Sequence, residues 1–231
     1  MIEQVFVRPH SFRDPIHGFI RVSAAERRLI NSGVFQRLRR IRQLGTSYLV
    51  YHGAEHSRFG HCLGVMEVAT KIHAAIAAKR PGILGDSAEA ARQEQLLRLA
   101  ALLHDVGHAP FSHASEDLFP DNVDGKKLEH EDYTAALILK SELASIIEQE
   151  YSKVNICAQD VVNIFSDPAS LGPAGVLLQD IVSGELDADR MDYLARDSLY
   201  AGVTYGRFDL DRLLDTITTV GRRAGSVSLG C

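Results

Sequence analysis

LLRLAALLHDVGH, residues 96–108, decides how this chain folds. Leu96, Leu99, Ala100, Leu103 and Val106 recur at helical spacing, and from Leu96 onward the run is apolar nearly all round. A helix with no polar face belongs in the centre of a domain. The pattern predicts a helix from about Ala90 to Asp105, stopped by Gly107 and Pro110. It ends on an imidazole beside a carboxylate, His104-Asp105, and two such groups at a buried helix end can turn into one cavity.

Working outward, Ser57 opens a long predicted helix to about Lys79, with Phe59, Leu63, Met66, Thr70 and Ile76 on one face and Pro81-Gly82 at its end. Upstream, Ser23 and Glu26 read as a capping box. After Gly33 a second helix is expected over Val34 to Leu44, ended by Gly45. The first 23 residues read as extended, with Val5–Val7 and Phe19–Val22 as β-prone pieces around the turn signals Asp14-Pro15 and His17-Gly18. Downstream, short helices are expected near 111–119, 130–140, 142–150, 158–166, 174–183, 188–199 and 209–219, with a polar loop at 120–127. GRRAGSVSLGC at the end carries no finishing element. The expected architecture is all-α with a small N-terminal β element, in a single domain over residues 1–231.

Composition removes several classes of function. A chain of 231 residues with 45% hydrophobic content can bury a substantial core. The net charge of −5 gives no global basic field for nucleic acid, although Arg37, Arg39, Arg40 and Arg42 form a local basic stretch. No apolar run approaches 18 residues, and MIEQVFVRPH lacks the pattern of a signal peptide. Three scattered cysteines, Cys62, Cys157 and Cys231, argue against a disulfide framework or a thiolate metal site and suit a reducing cytoplasm.

His104-Asp105 alone reads first as a helix-terminal histidine with an ion pair. Two other segments change the balance. His61 sits early on the preceding long helix, and Asp187, Asp189 and Asp192 open a late one. Two imidazoles and two carboxylates from separate helices suit a divalent ion (Mg, Mn, Fe, Ni or Zn) and leave positions open for water and substrate. The competing readings are a hydrogen-bonded core histidine at position 61 and an acidic helix start at 187. Beyond these, His108 and His113 lie in one turn, Glu116 follows His113 by three residues, and His130-Glu131 comes later. A carboxylate that orients an imidazole is what a general acid near neutral pH requires. Arg58, one turn before His61, can clamp phosphate oxygens, and Arg190 beside Asp189 is a second candidate. The Arg37–Arg42 stretch reads mostly as a solvated basic helix. No Walker, GxGxxG or GxSxG element is present.

The order His61, His104-Asp105, Asp189 resembles the HD-domain metal phosphohydrolases. DPIHG (14–18), FQRLR (35–39), QLG (43–45), HSRFGH (56–61), LHDVGH (103–108), PFSH (110–113), HE (130–131) and DADRMDY (187–193) narrow the resemblance. Together they look like the deoxynucleoside triphosphate triphosphohydrolases, in the SAM-and-HD-domain branch. The resemblance implies an HD-domain helical bundle and hydrolysis of dNTPs, dGTP among them, to deoxynucleoside and inorganic triphosphate. It implies metal ligands at His61, His104, Asp105 and Asp189, and phosphate or catalytic roles at Arg58, His108, His113, Glu116, His130 and Arg190. Nucleoside contacts would fall on Gln43, Leu44, Tyr193 and Asp197. It also implies a nucleotide activator near Asn31, Gln36 and Arg39, and assembly into dimers or tetramers. Members of that family continue past residue 231, so a chain shortened at its C-terminus is expected to lack their later contacts. Two other readings stand beside it: an HD hydrolase of another nucleotide or phosphate ester, and a non-catalytic nucleotide- or nucleic-acid-binding module using the Arg37–Arg42 stretch.

Overall fold

The computed structural model describes residues 7–221 and 227–230. It is helical: among the described residues ten α-helices surround one apolar core, with two small antiparallel hairpins at either end of the chain. Strands β1 (His10–Asp14) and β2 (Gly18–Val22) pair antiparallel around the DPIHG turn. The β-prone Phe19–Val22 therefore forms a strand, and its partner is His10–Asp14. Of the expected Val5–Val7 piece, Val5 and Phe6 lie outside the described residues.

Helix α1 (Ala24–Ile30) starts at the expected capping box. Glu26 N donates to Ser23 Oγ at 3.1 Å, and Ser23 N donates to Glu26 Oε2 at 2.7 Å. Glu26 also receives Arg98, 2.5 Å from Nε and 2.9 Å from Nη2. Arg98 completes its set with Thr70 Oγ1 and the Arg21 carbonyl. The one arginine within the apolar run is thus fully buried and fully paired, as a charge in the core must be.

The expected helix over 34–44 is shorter. Helix α2 (Gly33–Gln36) passes into a 3-10 turn over Arg37–Arg40, and Ile41 is extended. Pairing across the loop takes over here: Arg58 N donates to the Ile41 carbonyl at 2.9 Å and Gln43 N to the His56 carbonyl at 3.0 Å. The arginines also depart from a uniformly solvated helix. Arg37 donates to the His108 carbonyl at 2.7 Å and to that of Val106, Arg39 lies 3.5 Å over the Phe59 ring, and Arg42 pairs with Glu55 at 2.7 Å. Arg40 remains exposed.

Helices α3 (Arg58–Lys79) and α4 (Ser87–Leu103) form the central hairpin. Every residue from Gln95 to Leu103 is buried, in line with the all-round apolar pattern. A short connection makes the two helices antiparallel, which brings the start of α3 to the end of α4. Around them pack α5 (His130–Lys140), α6 (Glu142–Tyr151), α7 (Ala158–Ser166), α8 (Gly175–Ser183) and α9 (Ala188–Ala201). Helix α10 (Leu210–Thr216) leads into β3 (Thr218–Gly221), which pairs with β4 (Val227–Gly230). The sequence pattern did not suggest this pairing, because strands of four residues each give only a weak signal.

Candidate metal centre

His61 lies one turn into α3 and His104 caps the end of α4, so the antiparallel hairpin alone places their rings 5.2 Å apart. Asp105 follows in the turn, and the first turn of α9 contributes Asp189. One donor atom each from His61, His104 and Asp105 lies within 4.8 Å of the others. His61 Nε2 is 2.9 Å from Asp189 Oδ1 and 3.7 Å from Asp105 Oδ2; His104 Nε2 is 3.3 Å from Asp105 Oδ1 and 3.8 Å from Asp189 Oδ1. Helix α9 reaches this point because α3 presents a bare Gly64: a Cβ there would sit 1.9 Å from Asp192 Oδ1.

The tautomers are set from behind. His61 Nδ1 is 2.8 Å from Asp192 Oδ2, and His104 Nδ1 is 2.8 Å from the Ala101 carbonyl. Each ring therefore donates through Nδ1 and turns Nε2 inward. Both Nε2 atoms are buried and have no hydrogen-bond partner among the described residues. Two buried imidazole nitrogens that make no hydrogen bond among the described residues, each beside a carboxylate, are the fit test for a cation, and this donor set passes it.

Electrostatics agree. Burial opposes charge on His61, but the carboxylates of Asp189, 2.9 Å from Nε2, and Asp192, 2.8 Å from Nδ1, outweigh that and raise it to about 10. Burial likewise opposes charge on Asp105, yet His104, Arg58 and His108 hold it well below the usual carboxylate range. Asp189 is lowered chiefly by His61 against its own desolvation. A cluster this anionic keeps a proton on His61 until a metal replaces it.

The remaining expected residues divide. Arg58 is buried and donates to Asp105 and to Ser112 Oγ. Ser112 and the preceding Phe111 both adopt left-handed backbone, φ 57° and 70°, an arrangement that costs non-glycine residues about 1 kcal/mol each. His108, His113, Glu116 and His130 form a second cluster beside the first, joined to it where His108 Nε2 lies 3.3 Å from Asp105 Oδ1. Burial, with Arg58 and His130 nearby, lowers His108 to about 4 despite its bond to Asp105. Gln43 leaves a buried Oε1 without a partner, Leu44 and Tyr193 are half-buried, and Asp197 pairs with His56 at 2.7 Å. Arg190 is exposed and donates to the Glu185 carbonyl at 3.0 Å, turned away from the centre. Gln36 and Arg39 bond each other at 2.8 Å, whereas Asn31 is exposed at the end of α1 and is not bonded to either.

Residue-by-residue reading of the sequence passed over the layer behind the ligands. Asp192 accepts from Arg196 Nε at 2.8 Å and Nη2 at 2.9 Å and lies 2.6 Å from His17 Nε2, while Arg196 also reaches Asp14 at 2.9 Å. Thr134 Oγ1 accepts from Gly107 N at 2.9 Å and donates to the His104 carbonyl at 3.0 Å, pinning the turn that carries both ligands. Gly107 itself is required there, since a Cβ would come within 2.1 Å of the His130 carbonyl oxygen. The DPIHG and DADRMDY motifs contained His17, Asp14 and Asp192, but spacing alone does not pair residues 175 positions apart. A cavity of about 390 Å³ borders the centre, reached by His104, Asp105, His130 and Asp189 and floored by Ile138 and Phe165.

The HD domain family model matches residues 58–197. The chain is 42% identical to the uncharacterized protein YwfO of Bacillus subtilis over 205 residues, covering 88% of this chain and 43% of that protein. It is 33% identical to the deoxynucleoside triphosphate triphosphohydrolase SAMHD1 of Xenopus laevis over 231 aligned positions, covering 88% of this chain and 36% of that one. Among solved structures, a hypothetical protein from Aquifex aeolicus superposes with a TM-score of 0.73 at 39% identity, covering 94% of this chain and 53% of that one. The chain thus spans less than half the length of these curated relatives.

Proposed function

This chain belongs to the HD-domain family, and from that premise we propose that it is a metal-dependent phosphohydrolase cleaving deoxynucleoside triphosphates to deoxynucleoside and inorganic triphosphate. The observation that carries the hydrolase reading is the pair of buried, unpartnered Nε2 atoms of His61 and His104 facing Asp105 and Asp189. Similarity to SAMHD1 supports the choice of substrate.

His61, His104, Asp105 and Asp189 would hold the ion. When bound, a divalent metal in such a set supplies Lewis acidity and a water acidified towards neutral pH. The chain's own groups do the rest. Arg58 spends its guanidinium on Asp105 and Ser112 when no substrate is bound, and would turn one or both donors to phosphate oxygens as charge develops there. Water adds to the α-phosphorus and the bond to the 5′ oxygen breaks. The departing oxygen needs a proton, and His113, 3.1 Å from Glu116, is the group placed to give one. Glu116 lies lower than an ordinary glutamate because His130 and His113 outweigh its desolvation, so it stays anionic. Gln43, Leu44, Tyr193 and Asp197 would hold the nucleoside, with the orphaned Oε1 of Gln43 free to accept from it. Arg190 would have to leave the Glu185 carbonyl to reach phosphate. A nucleotide activator at Gln36 and Arg39 and a dimeric or tetrameric assembly extend the same reading.

The test is phosphorus-31 analysis of dGTP and the other dNTPs incubated with protein and Mg, Mn or Zn. Intact triphosphate is the expected product. Pyrophosphate or single phosphate release would move the activity to another phosphate ester, and no turnover with any metal would remove it.

A further inference from the structure

We propose that the cavity between α5, α7 and α8 is a subsite for an uncharged aryl group, and that aryl phosphate monoesters are a second class of substrate. The cavity measures about 390 Å³. Ile138, Val162 and Val182 line it and are buried, and Ala135 and Phe165 line it half-buried. An apolar cavity of about 150 Å³ already suffices for benzene, and small-molecule sites start at about 300 Å³. One side of the cavity is made by His104, Asp105 and Asp189. A group seated in it is therefore within reach of a phosphate held at the centre.

The lining names the chemistry of the occupant. Three hydroxyls border the cavity, and each is spent on the protein. Thr134 Oγ1 donates to the His104 carbonyl at 3.0 Å, Ser166 Oγ to the Val162 carbonyl at 3.2 Å and Ser183 Oγ to the Gln179 carbonyl at 3.5 Å. Among the described lining residues there is no arginine or lysine, and the exposed carboxylates of Glu131 and Asp132 stand at the edge. A polyphosphate tail would meet like charge there. A sugar would bury hydroxyls against walls that offer them few partners. Gln43, Leu44, Tyr193 and Asp197, proposed above for a nucleoside, are not among the lining residues either. An aromatic ring asks for no hydrogen bond, gains from burial, and can pack against the ring of Phe165.

The hydrolytic step rests on the hydrolase reading. Water adds to the phosphorus of the ester, and the bond from phosphorus to the aryl oxygen breaks. Its electron pair stays on that oxygen, which takes up the proton the water releases. The products are a phenol and inorganic phosphate, and nothing else is consumed.

The experiment uses the metal-loaded full chain with 4-fluorophenyl phosphate, glycerol 3-phosphate and dGTP as probes. Fluorine-19 resonance reads binding of the aryl ester, and phosphorus-31 resonance reads turnover of all three. The aryl ester should be hydrolysed with a kcat/KM at least about tenfold above that of the glycerol ester, the margin that apolar contacts supply. Ala135→Phe, on α5, and Ser183→Phe, at the exposed end of α8, place a ring in the cavity. Each should raise KM for the aryl ester about tenfold or more, with dGTP turnover and the circular dichroism spectrum unchanged. An aryl ester handled no better than the glycerol ester, or one whose binding and turnover survive both substitutions, overturns the subsite. A fluorine signal that both substitutions abolish, with no ester or dNTP hydrolysed under any metal, keeps the subsite and counts against the hydrolase reading alone.

Discussion

His17 Nε2 lies 2.6 Å from Asp192 Oδ1, with both side chains buried. The contact ties the turn of the N-terminal hairpin to the helix that carries Asp189, and the other oxygen of the same carboxylate orients His61. Metal ligands held from behind in this way lose affinity when the support goes, typically 10- to 100-fold. His17→Ala should therefore weaken metal retention by about tenfold while the fold persists. Competition against a chromophoric chelator measures it, and an unchanged affinity would mean that the contact does not orient His61.

Asp192 has a second duty. It is fully buried and neutralises Arg196, whose one other acidic partner among the described residues is Asp14. Removing one partner of a buried pair leaves an uncompensated charge, so Asp192→Ala should cost about 3–5 kcal/mol. Urea denaturation of the metal-free protein isolates this from any loss of metal.

Asp105 carries the sharpest functional prediction. Asp105→Ala should lower bound metal at the centre and abolish hydrolysis while the helical circular dichroism signal remains. Turnover equal to wild type in that variant would refute the centre as the seat of the reaction.

The metal-free protein should be most resistant to urea near pH 6.5. His61 keeps its proton up to about 10 in the folded chain, while the unfolded chain releases it near the ordinary value of about 6.5. The folded state then binds more protons between those values, so this stabilisation is complete below about pH 6.5 and fades as pH rises towards 10. His108 works the other way. Burial holds it neutral down to about 4, so the unfolded chain binds the extra proton between about 4 and 6.5 and stability falls as pH drops through that interval. Zinc should flatten the alkaline slope, because the ion takes the place of the His61 proton. Denaturation midpoints at several pH values with and without zinc test both halves, and a level metal-free profile would contradict them.

Thr134 and Gly107 predict a structural cost at a distance from any ligand atom. Thr134→Val leaves the Gly107 N–H buried without its acceptor, at about 1–3 kcal/mol. Gly107→Ala drives a Cβ into backbone of α5, as close as 2.1 Å to the His130 oxygen, and should cost at least as much. Thermal melts of the two variants beside His113→Asn, whose exposed side chain should leave the melting temperature near wild type, would show whether this turn carries the predicted load.

How much of this could be read from the sequence depended on the range of the interaction. The apolar periodicity around Leu96–Leu103 and the Ser23–Glu26 box act within a few residues, and both elements formed as expected. The grouping of His61, His104 and Asp105 was expected from an ordered motif, and the short connection between α3 and α4 explains why they meet. Arg190 was expected at phosphate from its place beside Asp189; the helix turns it by about 100° from Asp189, and it donates to the Glu185 carbonyl. The helix expected over 34–44 failed because residues 41–43 pair with 56–58, a partner that periodicity does not see. Thr134 and Arg196 owe their roles to contacts across the fold, so nothing in their immediate surroundings marked them, while the motifs that held Arg37 and Asp192 did not name their partners.

The shared carboxylate of Asp192 also sets an order of events during synthesis. His61, His104 and Asp105 leave the ribosome early, but the group that orients the first of them and the fourth acidic arm both wait for α9. A nascent chain of a hundred or so residues would present loose imidazoles with no way to enclose an ion. An ion could be enclosed only after α9 has emerged and folded back against the DPIHG turn, so the proposed metal would be taken up after that docking and not while α3 and α4 are still emerging.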